Sequence, residues 1–154
     1  MSQQIPGHTT GRLGLRVTHR KYVAHSHAHY AGNLVDGAYS LGLFGDVATE
    51  ICIRTDGDEG LFASYSDVQF KAPVRAGDIL EISAEVVRVG SRSRTIEFVA
   101  SVVGRGRPDL SGSAAAMLDE PIVATTATGI VVVPPITAPV TAPVTAPRAE
   151  SPTE

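Results

Sequence analysis

The chain has few of the residues that mark secreted or membrane proteins. It has one cysteine and no tryptophan among 154 residues. A single cysteine excludes an intrachain disulfide, and the apolar neighbours Ile51 and Ile53 predict that Cys52 is a buried small residue and not an activated thiol. No run approaches the roughly 18 apolar residues of a transmembrane helix. The N-terminus also lacks the basic and apolar regions of a secretory signal, so we expect a cytoplasmic protein with no membrane partner.

An excess of positive charge is also missing. The net charge is −3, and the 13 lysines and arginines are scattered along the chain. Nucleic-acid-binding domains place basic residues in a patch or stripe, so no nucleic acid partner is expected. The length and a hydrophobic content of 43% fit one globular domain with a core of useful size.

Composition divides the chain into three parts. Residues 1–10 are polar and contain glycine and proline, which predicts a flexible N-terminus. Residues 11–133 carry the periodic patterns of a folded domain. Residues 134–154 contain a repeated Thr-Ala-Pro unit, and proline at every fourth position excludes both helix and inner strand. We therefore predict a disordered Pro/Thr/Ala-rich tail without a functional site.

Alternating apolar residues predict about five strands in the folded part. The first begins at Arg12 and extends toward Val23, and the others cover residues 61–72, 79–89, 95–103 and 122–133. Ser66, Val68 and Phe70 are expected on one side of the second strand. The alternating apolar residues of the third and fourth strands are Leu80, Ile82, Ala84, Val86, Ile96, Phe98, Ala100 and Val102. The alanine-rich segment 113–118 is predicted to form a short helix in the connection before the last strand. Short turns between the middle strands favour an antiparallel meander.

One glycine-rich helix is predicted between the first and second strands. Asn33 is the expected N-cap, with Asp36 three residues later in a variant of the capping box. An apolar stripe then follows through Leu34, Ala38, Leu41, Ala48 and Ile51. Glycines at 37, 42 and 45 each cost about 1 kcal/mol in a helix interior. The helix should therefore be stable only when packed, and an α+β fold with the sheet wrapped around it would explain its small residues.

Three segments resemble the hotdog-fold 3-aminoacyl-CoA ammonia-lyase family, the β-alanyl-CoA and 3-aminobutyryl-CoA type. They are AHYAGNLVDGA at residues 28–38, GDVATE at residues 45–50 and DGD at residues 56–58. The segment VQFKAPVRAGD at residues 68–78 is shared with hotdog thioesterases in general. The resemblance implies a hotdog fold and a homo-oligomer, at least a dimer. It also implies a lyase that removes or adds ammonia at the β-carbon of an acyl-CoA or acyl-carrier-protein thioester, with no further cofactor.

Ammonia elimination needs a base for the α-proton, donors for the enolate oxygen and an acid for the amine. The resemblance places the start of the helix against the thioester, where unpaired amides and the helix dipole favour negative charge. Substrate-binding candidates at this end are Tyr30, Gly32, Asn33, Leu34 and Val35, and His29 is a catalytic candidate.

Three carboxylates on the predicted helix are further catalytic candidates: Asp36, Asp46 and Glu50. At 1.5 Å per residue, Asp46 lies about 15 Å and Glu50 about 21 Å from Asp36 along the axis. Neither reaches the helix start of its own chain. Because hotdog active sites lie between two subunits, we predict that Asp46 or Glu50 completes the site of the partner chain.

Several alternatives remain open from the sequence alone. Arg75, Arg92 and Arg94 are candidates for contacting coenzyme A or a carrier protein, or they are ordinary surface residues. His25, His27 and His29 would share one face if extended and could then hold zinc, but a fourth ligand is missing and we predict no metal. A hotdog thioesterase and a non-catalytic acyl-thioester binding module are the alternatives to the lyase.

Overall fold

A computed structural model describes residues 12–135 as one antiparallel sheet and one long helix. The predicted flexible N-terminus and most of the predicted tail lie outside these residues. The elements in chain order are β1 (Arg16–Tyr22), α1 (Gly37–Asp56), β2 (Leu61–Phe70), β3 (Ile79–Val89), β4 (Ser93–Gly106) and β5 (Ala115–Val132). A three-residue 3-10 turn, His25–His27, lies between β1 and α1. No helix in this part of the chain is long and apolar enough to cross a membrane.

The five strands form one sheet in the order β1-β3-β4-β5-β2, and every neighbouring pair is antiparallel. The helix α1 contacts all five strands. The ring of Phe44 on α1 stacks on Phe98 of β4, with a centroid distance of 5.0 Å. The predicted α+β architecture of a five-stranded antiparallel sheet around one helix is confirmed.

The alternation of β3 and β4 decides which face of the sheet carries the core. β3 was predicted with its observed bounds, and β4 is longer than the predicted segment 95–103. The predicted inward residues are all buried: Leu80, Ile82, Ala84, Val86, Ile96, Phe98, Ala100 and Val102. A period of two on a sheet with one covered face leaves no other stable register.

The helix predicted at residues 113–118 is wrong. β5 begins at Ala115, and Ala115, Ala116 and Met117 pair with Gly106, Arg105 and Gly104 of β4. Alanine has the highest intrinsic helix propensity, but tertiary contacts readily override such a preference. Here backbone pairing with the extended end of β4 outweighs that preference.

The face prediction for β2 is also wrong. Ser66, Val68 and Phe70 were expected on one side of the strand, but Phe70 is 60% exposed while Val68 packs against the core. The register shifts between Phe62 and Ser64 and again between Ser66 and Gln69. Each irregularity inserts a residue and reverses the alternation beyond it. The residues that pack inward are therefore spaced by three: Phe62, Tyr65 and Val68.

The core face of α1 differs partly from the predicted stripe. Leu34 precedes the helix and Ala38 is exposed, whereas Ala48 and Ile51 are buried as predicted. The buried positions follow helical spacing: Ser40, Phe44, Val47, Ala48, Ile51, Cys52 and Thr55. The prediction that Cys52 is buried is confirmed, and burial raises the pKa of its thiol to about 11.

The sheet does not enclose the helix on all sides. A Cβ atom added at Gly42 or Gly45 would meet no other atom within 4 Å. The expectation that intrachain packing explains these two glycines is therefore wrong. At Gly37 the expectation holds, because an added Cβ would lie 2.5 Å from the Phe70 ring. A face of α1 with small residues thus remains uncovered in one chain.

Candidate active site

The helix begins three residues later than the sequence predicts. Asp36 is the N-cap, and its Oδ1 accepts a hydrogen bond from the Tyr39 amide at 3.1 Å. Asn33 was predicted as the cap, but it has a φ of 58° and belongs to the preceding loop. Asparagine tolerates this left-handed conformation better than most residues. The Asp36 carboxylate therefore caps the helix by accepting a hydrogen bond from a backbone amide of the first turn.

The later start places the first helical amides after the predicted segment 32–35. The Asn33 amide donates to the Tyr30 carbonyl at 3.0 Å, and the Val35 amide donates to the Val74 carbonyl at 3.0 Å. The first amides of a helix have no acceptor within the helix. Within residues 12–135, those of Gly37 and Ala38 have no other acceptor either. These two amides are the candidate donors to an enolate oxygen at the helix start, whereas those of Asn33 and Val35 are used within the fold.

A buried ion pair holds the segment beside the helix start. Asp78 is fully buried, and Arg105 donates to its two carboxylate oxygens at 2.9 and 2.8 Å. These hydrogen bonds to Asp78 raise the pKa of Arg105. The Arg75 amide also donates to Asp78 at 2.8 Å. The loop that follows β2 is thereby fixed against Leu34, which forms an isolated β-bridge with Arg75.

Tyr30 and His29 lie in the exposed loop before the helix. Their rings meet edge to face with a centroid distance of 4.7 Å, and Tyr30 is 55% exposed. His29 Nδ1 lies 3.8 Å from Asp36 Oδ2. Both backbone amides donate to the Leu34 carbonyl, which closes the loop. Gly32, at the tip, is exposed.

The three histidines of residues 25–29 do not share one extended face. His25 and His27 form the 3-10 turn, so the extended arrangement considered for zinc is not present. The His27 ring packs on Tyr39 at 4.9 Å. The Tyr39 hydroxyl is buried without a hydrogen-bond partner within residues 12–135, and burial raises its pKa.

Glu50 is held by two donors, whereas Asp46 is exposed. His19 Nε2 on β1 contacts Glu50 Oε2, and Arg54 Nε donates to Glu50 Oε1 at 2.7 Å. These hydrogen bonds, first that of His19 and then that of Arg54, lower the pKa of Glu50. Asp46 forms no ion pair or side-chain hydrogen bond with the rest of the described chain. Of the two mid-helix acids, only Glu50 is oriented by its own chain.

The three candidate arginines lie in different environments. Arg75 is exposed beside the helix start, and Arg92 is exposed at the β3–β4 turn. Arg94 is only 2% exposed and pairs with Asp56 at 2.6 Å, so its prediction as a surface contact for coenzyme A is wrong. Its position after a turn suggested exposure, but β4 begins at Ser93 and directs Arg94 inward.

A cavity of about 260 Å³ lies next to Arg94, at the far end of α1. It is lined by Arg12, Asp56, Ser91, Arg92, Arg94 and Val133–Pro135. It does not include the helix start or Glu50. The geometry of the amides and the carboxylate therefore defines the candidate active site, and the cavity is separate from it.

Known proteins share this arrangement of helix and sheet. A family model for the thioesterase superfamily matches residues 32–104. The chain is 51% identical over 107 residues to a 3-aminobutyryl-CoA ammonia lyase of Acetoanaerobium sticklandii, an alignment that covers 70% of this chain and 85% of the relative. The chain belongs to the hotdog-fold 3-aminoacyl-CoA ammonia-lyase family. The predicted fold and the predicted class of enzyme, a C–N lyase, are both confirmed.

Solved structures agree with membership of this ammonia-lyase family. β-Alanyl-CoA:ammonia lyase from Clostridium propionicum superposes with a TM-score of 0.74 at 36% identity, covering 79% of this chain and 86% of that one. A hexameric hotdog-fold thioesterase of Campylobacter jejuni superposes with a TM-score of 0.61 at 21% identity, over 73% of this chain and 78% of its own. The second likeness supports the fold alone.

Four residues of the candidate site were not predicted from the sequence. His19 and Arg54 orient Glu50, Phe70 covers Gly37, and Tyr39 brings to the first helical turn a hydroxyl that has no hydrogen-bond partner among residues 12–135. Helical spacing of four from Glu50 to Arg54 was a usable signal. His19 and Phe70 come from distant strands, so no local pattern indicated them.

Proposed function

We propose that this enzyme removes ammonia from, or adds it to, the β-carbon of a short 3-aminoacyl thioester of the 3-aminobutyryl-CoA type, without a cofactor. The relative named for this substrate shares half of the aligned residues. In the elimination, a carboxylate takes the α-proton of a substrate whose amine is protonated, and the resulting enolate expels neutral ammonia as its electrons form the Cα=Cβ bond. The proton then passes to the released ammonia, so the products are an enoyl thioester and ammonium.

The distance along α1 is the observation that carries the mechanism. The free amides lie at Gly37 and Ala38, and Glu50 is 13 positions after Gly37 (50 − 37), which is about 20 Å along a helix. One chain cannot place both groups on one thioester. We therefore propose that the amides of one subunit bind the enolate oxygen while Glu50 of the partner subunit is the base.

An uncovered stripe of small residues on α1 supports a homo-oligomer, at least a dimer. Ala38, Gly42 and Asp46 are exposed and follow a spacing of four, away from the buried face. If this face of the helix met only water, alanine in place of Gly42 would stabilise the helix by about 1 kcal/mol. A glycine here fits close approach of a second chain, which would bring the two helices together.

The oligomer is expected to dissociate when a large side chain is placed on this stripe. We expect Gly42→Leu to shift the protein toward monomers in light scattering after size exclusion, because the leucine would separate the two helices. Gly112→Leu is the matched control, since Gly112 also has open space around it but lies in the β4–β5 connection. Unchanged mass and activity in Gly42→Leu would contradict the proposed interface.

The reaction itself is tested with crotonyl-CoA and ammonium. We expect the enoyl absorbance to fall in proportion to ammonium while no free thiol appears, and mixtures without ammonium to stay constant. Release of free thiol would identify a thioesterase, and no change in either signal would favour a binding module. Either outcome would overturn the proposal. The same assay with a carrier-protein thioester compares the two classes of acyl carrier.

Contacts to coenzyme A and the cellular location are part of the same proposal. Arg75 and Arg92 are exposed cations that suit phosphate groups, and Arg75 lies beside the helix start. His29, Tyr30 and Asp36 lie at the start of α1 and are proposed to contact the acyl group or the amine. Use of a coenzyme A thioester supports a cytoplasmic location.

A further inference from the structure

His19 is a half-buried polar residue on the face of β1 that also carries the buried Val17. Residues alternate along β1, so Val17 and His19 share a face, and Val17 is buried in the core. His19 stands opposite Ile82 of β3, which is also buried. An apolar side chain would suit this position better for packing. Among residues 12–135, the histidine instead forms one side-chain hydrogen bond, with Glu50 on α1.

The contact between His19 and Glu50 joins β1 to α1, whereas the other ion pairs of β1 do not reach the helix. Arg16 pairs with Glu85 and Arg20 with Glu81, so both link β1 to its neighbour β3 on the outer face. His19 reaches across from the sheet to the helix. Its side chain is 34% exposed and that of Glu50 is 32% exposed. Ion pairs with this exposure add little to stability, so support of the fold is a poor explanation for the contact.

The two oxygens of Glu50 have separate partners. Oε2 contacts His19 Nε2 and Oε1 accepts from Arg54, so the plane of the carboxylate is set from two directions. A carboxylate oxygen has two lone pairs, so Oε2, with one contact, can still receive a proton. Glu50 is therefore both oriented and available.

We propose that His19 is a positioning residue that holds Glu50 as an oriented, ionised base for the substrate bound by the partner subunit. This inference rests on the proposed function and adds a residue to it. His19 does not touch the substrate in this scheme. It acts on the reaction through the position and protonation of Glu50.

Few charged groups lie near Glu50, so the effect of His19 on its pKa can be measured from the pH dependence of the reaction. Of the charged groups near it, His19 comes from β1 and Arg54 from α1, and the inward residues of β3 are apolar. Asp46 lies one turn earlier on α1. The hydrogen bond from His19 is the first of the contacts that lower the pKa of Glu50. Its loss must raise that pKa, so a larger fraction of Glu50 is protonated and inactive at mildly acidic pH.

The test compares kcat/KM for ammonia elimination against pH in wild-type, His19→Ala and His19→Gln proteins. We expect the acid limb of His19→Ala to move to higher pH, with kcat/KM at the wild-type midpoint reduced at least about 5-fold and a smaller loss at alkaline pH. His19→Gln keeps a donor at the position of Nε2 and should recover part of the shift. Arg20→Gln, on the outer face of the same strand, is the matched control and should leave the limb unchanged.

A second readout is independent of turnover. With carbon-13 in the glutamate carboxyl groups, the Glu50 signal is identified by its loss in Glu50→Gln and is followed against pH. We expect its midpoint to rise in His19→Ala and not in Arg20→Gln. An unmoved carboxyl titration, or an unmoved acid limb, would overturn the positioning role. A wild-type protein without lyase activity would overturn the proposed function and the positioning role of His19 with it, while the carboxyl titration would still show whether His19 and Glu50 interact.

Discussion

Replacing Glu50 by glutamine is expected to lower kcat/KM for ammonia elimination by roughly 10² to 10⁴-fold, the usual contribution of a positioned general base. Glutamine has the shape of glutamate and keeps an oxygen for Arg54, so the fold should persist. It cannot accept the α-proton at neutral pH. The measurement is the initial rate of enoyl-CoA formation, with circular dichroism as a check on folding.

Asp46→Asn is the matched control for Glu50→Gln. It removes a carboxylate one turn earlier on the same helix, and Asp46 is exposed without a partner among residues 12–135. We expect kcat/KM to remain within a few-fold of the wild-type value. If Asp46→Asn abolished turnover and Glu50→Gln retained it, the assignment of the base would be reversed.

Mixed oligomers extend the same prediction to the sharing of sites between chains. Gly37→Val would place a side chain against Phe70 and over the free amides, because even a Cβ there lies 2.5 Å from the ring. If the amides and the base come from different subunits, mixing inactive Gly37→Val with inactive Glu50→Gln protein restores a native site in each mixed dimer. Activity should then reappear after subunit exchange. No recovery in confirmed mixed dimers would place both groups in one chain.

Replacing Arg94 by leucine is expected to destabilise the protein by about 3–5 kcal/mol, since the change leaves a buried carboxylate without its main partner. Arg94 donates to Asp56 through two nitrogens at 3.2 and 2.6 Å, and to the carbonyls of Gly90 and Ser93. Burial raises the pKa of Asp56, but hydrogen bonds from Arg94 and Thr55 outweigh it and lower the pKa below its ordinary value. Arg94 thus joins the end of α1 to the β3–β4 turn.

Thermal unfolding measures this effect. For a chain of this length, the loss corresponds to a fall in Tm of roughly 6 to 20 °C. Arg107→Ala, which removes the exposed pair with Asp109, is the control and should change Tm little. The double variant Arg94→Leu, Asp56→Leu should recover part of the loss because no charge remains buried. Unchanged Tm with weakened coenzyme A binding in Arg94→Leu would restore the surface role that its sequence position suggested.

Local patterns were sufficient for most of the secondary structure. The alternation in residues 79–89 and 95–103 predicted both strands and their buried faces, because a period of two leaves one register that hides the apolar side chains. Local sequence patterns gave a wrong helix boundary where two nearby residues were both suitable as the N-cap. Asn33 and Asp36 are both good caps, and the pairing of Val35 with Val74 places Asn33 in the loop.

Pairing with distant strands decided the remaining elements. The alanines at 115 and 116 favour a helix, yet they extend β5 because β4 continues to Gly106 and offers hydrogen bonds. The irregular register of β2 turned Phe70 outward onto Gly37. Such pairings join residues far apart in the chain, so no window of sequence contains them.

The sequence by itself determined the family, the α+β fold and the list of reactive side chains, since these follow from motifs and from short-range periodicity. The spacing of the acids along a helix also predicted that a complete active site needs residues from two chains. Only the tertiary structure decided that Asp36 is the N-cap, that Arg94 is buried and that His19 meets Glu50 from 31 positions away. These outcomes depend on which surfaces the fold brings together, because burial and ion pairing are set by neighbours in space.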